Sequence, residues 1–181
     1  MGRIIRTARL DQTWTIVRPT SFWGPWFGIP YRNFFDVVRK ALFIHPAGTV
    51  VLKQWGYIEN AVHQVQRLLE TDREQAHGKT FYLADHQAFD LHEFANAVSK
   101  AFGKGQVRTV PLGLLQFIAK SGDLLKKIGW SSPPLTSFRL NNIITEETQD
   151  LSTLEAIVGE LPYDYERGIQ RTVQWMREHA T

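Results

Sequence analysis

Six histidines are the first residues whose chemistry invites attention: His45, His63, His77, His86, His92 and His179. An imidazole can hold a metal or move a proton, but a metal site needs ligands at short, recurring spacings, and these are scattered. The tightest group is Asp85, His86 and His92, whose spacing suits surface or capping roles better than ligation. The 181 residues contain no cysteine, which excludes a thiol nucleophile, a zinc knuckle, an iron–sulfur cluster and a disulfide framework. No G-x-S-x-G elbow presents a serine nucleophile, and neither a P-loop nor H-E-x-x-H occurs. Gly24 and Gly28 lie in a stretch full of Pro and Trp. Neither opens a helix at the spacing of a dinucleotide fingerprint. Residue types and spacing alone therefore nominate no catalytic residue and no metal.

The elements that would position any site alternate between strand and helix. Residues 2–11 read as the tail of a helix with no cap ahead of it. Trp14–Val17 reads as a short buried strand ended by Arg18-Pro19. The Gly-, Pro- and aromatic-rich run from Thr20 to Tyr31 predicts an ordered loop that covers its aromatic rings. A helix over 32–42 follows, then strand material at 49–52 and 55–58. Asn60 is placed to cap a helix to about Glu70 with Val62, Val65, Leu68 and Leu69 inward. Residues 80–83 predict another strand. Asp90 and Glu93 form a capping box for a helix closed by Gly103 and Gly105. A strand over 107–110 leads to Pro111, which opens a long helix ended by Gly129. Its stripe of Leu112, Leu115, Ile118, Leu125 and Ile128 reads as core rather than as a membrane-surface face. A last helix spans 165–179 with Ile169, Val173 and Met176 on one face. The pattern is α/β, with few strands for a sheet of its own.

Composition narrows the partners. Hydrophobic residues make up 43% and aromatics 12%, too much apolar surface for a disordered chain. The net charge of +3 is too small to argue for nucleic acid, and no strip interleaves basic residues with aromatics. Charge is uneven along the chain. Between Lys100 and Trp130, Lys100, Lys104, Arg108, Lys120, Lys126 and Lys127 face only Asp123, whereas 144–166 is acidic without a single base. We expect no nucleic-acid partner and no membrane partner. The lack of cysteine and of a signal peptide makes the cytoplasm the expected compartment.

Five segments in order carry a family resemblance: WTIVRPTSFWGP (14–25), WGYIENAV (55–62), GKTFYL (78–83), DLSTLE with GELP (150–155 and 159–162), and GIQRTVQW (168–175). Together the chain resembles the C-terminal half of an extended short-chain dehydrogenase/reductase of the NAD-dependent epimerase/dehydratase family, in its nucleotide-sugar branch. The resemblance implies the C-terminal part of a Rossmann-like fold. A few sheet strands would accompany a small, mostly helical substrate domain, the whole being one partial domain over 1–181. It implies a nucleotide-sugar substrate contacted by Thr20 and Ser21, where many members have Asn at the position of Ser21. Pro19 and Thr20 would lie beside the cofactor, NAD or NADP. Lys53 and Arg139 would grip the diphosphate, and Asn60 would be a neutral cap where the family has Asp.

The family begins its chemistry by hydride transfer to the nicotinamide with a Tyr base and a Lys four residues later. None of Tyr31, Tyr57, Tyr82, Tyr163 and Tyr165 is followed by such a Lys. The resemblance thus implies a substrate-binding half that neither binds a dinucleotide nor turns over alone. It would act as a homodimer or by pairing with a full-length homologue. Two alternatives stand beside it. YIEN at 57–60 also resembles the 3β-hydroxysteroid-dehydrogenase branch, and the chain could instead serve as a non-catalytic binding or interaction module.

Overall fold

A computed structural model describes residues 13–131 and 133–179. The expected helix over 2–11 lies outside them. In chain order the elements are β1 (Ile16–Pro19), β2 (Phe22–Trp23), α1 (Arg32–Arg39), β3 (Ile44–Pro46), β4 (Leu52–Lys53), β5 (Gly56–Tyr57), α2 (Ile58–Glu70), α3 (Arg73–Ala76), β6 (Thr80–Leu83), β7 (Phe89–Asp90), α4 (Leu91–Ala101), β8 (Arg108–Val110), α5 (Leu112–Lys127), α6 (Ser137–Ile144), α7 (Ser152–Val158) and α8 (Tyr165–Glu178). The mixed α/β class is the one the sequence predicts. Strands pair two by two: β1 with β6, β2 with β5 and β3 with β8 in parallel, and β4 with β7 antiparallel. The chain forms two compact units. One comprises the chain up to Arg32, Gln54–Ala88 and the chain from Thr148 onward; the other comprises Asn33–Lys53 and Phe89–Glu147.

In the first unit β1 lies on β6 in the register Ile16↔Thr80 to Pro19↔Leu83. The strand starts two residues later than its β-branched run suggests. The amide of Trp14 is taken by His77 Nδ1, and ladder bonding continues past Pro19 through Thr20 N donating to Leu83 O at 3.1 Å. Leu68, Phe81, Leu83, Leu154 and Val158 form the core between α2, β6 and α7. Helix α8 buries Ile169, Val173 and Met176 on one face, as its spacing predicts.

Helix α2 departs from expectation. Its N-cap is Tyr57, and Asn60 sits inside the first turn with no exposure at all. The buried residues are Asn60, Ala61, Gln64 and Leu68, whereas Val62 is 61% and Leu69 82% exposed. Two buried amides define the inner face because each finds partners there, which apolar periodicity cannot register. The aromatic loop departs in two residues: Trp23 is buried, but Tyr31 is 46% exposed and Trp26 80%, the latter with a left-handed φ of 68°.

In the second unit, Asp90 caps α4 by accepting from the amides of His92 and Glu93 at 2.8 and 3.1 Å. Helix α1 stops at Arg39 rather than at Leu42. Ala41 turns left-handed (φ 55°), and Ala41 N and Leu42 N donate back to Val38 O and Val37 O. Helix α5 runs between Pro111 and a left-handed Gly129 (φ 106°), close to prediction. Its buried face follows prediction only at Leu115. Leu115, Ala119 and Gly122 pack with Leu140 of α6, and Gly122 abuts the Leu135 carbonyl so closely that no Cβ would fit. Small residues let the chain approach along that ridge. Ile118 and Ile128, expected in the core, are therefore left 41% and 74% exposed.

Candidate functional site

Ligands of parallel α/β sheets gather beyond the carboxyl ends of the strands, so the site is built outward from the ends of β1 and β6. There the first unit brings together Pro19, Thr20 and Ser21 with Ala84 and Asp85. Thr20 is held twice to Leu83 O, through its amide and its hydroxyl, each at 3.1 Å. Ser21 O accepts from Gly56 N at 3.0 Å, and its half-buried hydroxyl has no protein partner among the described residues. Behind Ser21, Gly24 has φ 135°, and a Cβ there would meet Ile58 Cγ2 at 2.5 Å, so the turn after the strand requires glycine.

Asp85 is the residue that sequence reasoning missed. Its Oδ2 accepts from Tyr57 N at 3.1 Å and its Oδ1 from Asn60 Nδ2 at 2.9 Å. Asn60 in turn donates to Tyr163 O and accepts from Tyr163 N, at 2.9 and 3.1 Å. Burial pushes the Asp85 carboxyl up to about 7, although the Asn60 and Tyr57 hydrogen bonds pull the other way. Nothing at the level of spacing links residues 57, 60, 85 and 163. Only β5, α2 and the end of β6 bring them together.

Next to this network an open groove of about 570 Å³ is lined by Pro25, Trp26, Ile58, Glu59, Arg171 and Trp175 among others. Arg171 meets Glu59 Oε1 through Nε and a terminal nitrogen at 3.1 and 2.8 Å, and Tyr57 donates to the same oxygen at 3.1 Å. Burial alone would raise the Glu59 carboxyl. Hydrogen bonds from Tyr163, Arg171 and Tyr57 outweigh it and hold the group low. Burial, against the pull of Arg171, pushes the Tyr57 hydroxyl up to about 12. A phenol so reluctant to ionise is a poor general base. The Trp26 ring leans on Trp175 and His179, with centroids 5.6 and 5.5 Å away.

Lys53 and Arg139 belong to the second unit, at opposite ends of α6. The Lys53 ammonium is 3% exposed and donates to Asn142 O at 2.9 Å and Thr145 O at 2.6 Å, with Glu147 Oε2 at 3.6 Å. It thereby satisfies the last carbonyls of α6, where the helix dipole favours a cation. Burial lowers its pKa, and Glu147 offsets part of that. Arg139 stands in the first turn. One terminal nitrogen donates to Pro133 O and Pro134 O at 2.8 and 3.1 Å. The rest of the exposed guanidinium has no protein partner among the described residues. Of the two cations, only Arg139 has donors to offer a ligand without first breaking its own bonds.

Comparison with known proteins places this arrangement. No protein-family profile matches the chain. The fold is that of NAD-dependent epimerase and dehydratase structures, matched over about half their length, as the order of the sequence motifs leads one to expect. The crystal structure of gox2253 superposes with a TM-score of 0.68 at 17% identity, covering 98% of this chain and 52% of that one. The UDP-glucuronic acid 4-epimerase of Bacillus cereus, solved in complex with NAD, gives 0.60 at 12% identity over 92% and 45% of the two chains. In sequence, the chain is 25% identical over 187 residues to the uncharacterized protein YbjS of Escherichia coli (strain K12), covering 98% of this chain and 54% of that protein. It thus spans about half the length of the relatives it matches.

Proposed function

We propose that these residues form the substrate-binding part of an NAD- or NADP-dependent oxidoreductase of the nucleotide-sugar epimerase/dehydratase kind. The observation that carries this reading is the coincidence of motif and geometry. WTIVRPTSFWGP runs from a parallel strand into a tight glycine turn at the carboxyl end of β1, and the fold match spans 98% of the chain. In this reading Thr20 and Ser21 face the sugar, Pro19 and Thr20 border the nicotinamide, and Arg139 holds the diphosphate through its unengaged nitrogens. The chain's own residues bind and orient. The hydride acceptor and the Tyr and Lys pair that would begin the chemistry are not among these 181 residues. In this reading the chain works as a homodimer or paired with a full-length homologue, in the cytoplasm.

Thermal denaturation tests it. UDP- or GDP-sugars should raise the melting temperature and NAD alone should not, because a ligand stabilises only the state that binds it. Arg139→Ala should abolish the shift without lowering the melting temperature of the free protein. Redox turnover of a nucleotide sugar by the purified chain would refute the half-site reading.

One observation favours a second reading. Lys53, expected on the diphosphate, is buried and saturated by two carbonyls and a carboxylate. A site with a single available cation suits an apolar alcohol of the 3β-hydroxysteroid kind as well. Stabilisation by steroids and not by nucleotide sugars would establish that alternative.

A further inference from the structure

One apolar face of α5 lies in water, and its composition says what it meets. At 100° per residue, Leu114, Phe117, Ile118, Ser121, Leu124, Leu125 and Ile128 share one arc of ~120°. Leu114 is 48% exposed, Phe117 70%, Ile118 41%, Leu124 62% and Ile128 74%. A contiguous exposed apolar face of this kind marks an interaction surface. No helix among the described residues is long and apolar enough to cross a membrane.

Charge decides what covers it. Lys120 and Lys127 flank one side of the arc on the helical wheel, and Lys126 lies beyond its other side. The only acid of α5, Asp123, is turned away and accepts from Ser137 N at 3.2 and 3.4 Å. The unit as a whole has ten Lys and Arg against six Asp and Glu. A second copy packed face to face would bring the flanking lysines of both copies around one interface. Like charges repel there, and interface cores are depleted of Lys. A surface of opposite sign suits the same face on both counts.

We propose that α5 docks this chain on an anionic lipid surface, lying in the plane of the headgroups with its apolar arc inserted. The expected absence of a membrane partner followed from reading Leu112, Leu115, Ile118, Leu125 and Ile128 as core; Leu115 is buried, but Ile118 and Ile128 are exposed beside Leu114, Phe117 and Leu124. A Phe ring and leucines on one side with lysines beside them are the composition of a helix that lies in a bilayer interface.

Co-sedimentation of the full chain with vesicles of phosphatidylcholine alone, and of phosphatidylcholine mixed with phosphatidylglycerol, tests this. Binding is expected to the mixed vesicles only, and should fall at high salt. Phe117→Gln should weaken it about tenfold or more, and Lys120→Gln or Lys127→Gln about fivefold each. All three change exposed residues, and far-UV circular dichroism checks that each keeps its fold. Leu124→Gln replaces Phe117→Gln should the latter not fold. Failure to bind the mixed vesicles, equal binding to both kinds, or indifference to these substitutions would overturn the proposal. So would a lipid-free dimer in sedimentation velocity that Phe117→Gln dissociates, which would assign the face to a second copy.

Discussion

Asp85 and Asn60 concentrate what single residues do here. A carboxyl raised to about 7 from an ordinary 3.8 holds a proton in the folded state that the unfolded chain releases. Its contribution to stability is therefore fullest below about pH 4 and is lost as pH rises toward 7, with a slope of up to about 1.4 kcal/mol per pH unit. Urea melts at pH 5 and pH 7.5 should show that fall, and Asp85→Asn should flatten it. The same variant should cost about 1–3 kcal/mol at pH 5, because an amide offers one acceptor where Tyr57 N and Asn60 Nδ2 use two. Asn60→Ala should cost at least about 2 kcal/mol by stranding both polar groups of the Tyr163 backbone. A double-mutant cycle of Asp85→Asn with Asn60→Ala should be clearly non-additive, since the two share a hydrogen bond. Neither residue is conspicuous in the sequence. Asn60 reads as a cap and Asp85 as half of a weak Asp-His group, because an interaction spanning 25 residues leaves no local pattern.

At the scale of elements, legibility depended on whether the deciding partner was local. The Asp90 cap of α4, the Pro111 start of α5 and its Gly129 stop could all be read, since each rests on groups within a turn of one another. The inward faces of α2 and α5 could be read only in part, at Leu68 and Leu115. On α2 the buried Asn60 amide finds both acceptors and a donor elsewhere, and Gln64 Nε2 donates to Ala84 O at 2.6 Å. On α5 the small residues Ala119 and Gly122 win the packed side because a close backbone approach needs them. Helix α8 uses the same device. A Cβ on Gly168 would stand 2.8 Å from Trp23 and 3.0 Å from Tyr57, both buried rings. Gly168→Ala should thus destabilise by about 1–3 kcal/mol, despite alanine's better helix propensity. A lowered midpoint in chemical denaturation checks this, and an unchanged or raised one would mean that the rings yield.

Across the whole molecule, each unit is assembled from remote pieces of chain. Strand β1 pairs with residues 64 positions away, and the core around Phe81 and Leu83 is completed by Leu154 and Val158. Removing the chain after Glu147 takes away Leu154, Val158, Ile169, Val173 and Met176, all buried. Such a truncation should abolish slow amide exchange at 80–83, whereas amides of α4, in the other unit, should keep more of their protection.

The sequence by itself determined the α/β class, the ends of α4, α5 and α8, the loop after Arg18-Pro19 and a family resemblance whose fold the solved structures share. These rest on contacts within a few residues, or on backbone demands that Gly and Pro must meet. Tertiary structure alone decided that Lys53 closes the end of α6, that Asp85 is the buried acid beside the candidate site, and that α5 turns Ile118 and Ile128 outward while burying Leu115. Each of those outcomes depends on what lies opposite a side chain in space. Periodicity records that a face is apolar but does not say which neighbour, if any, covers it.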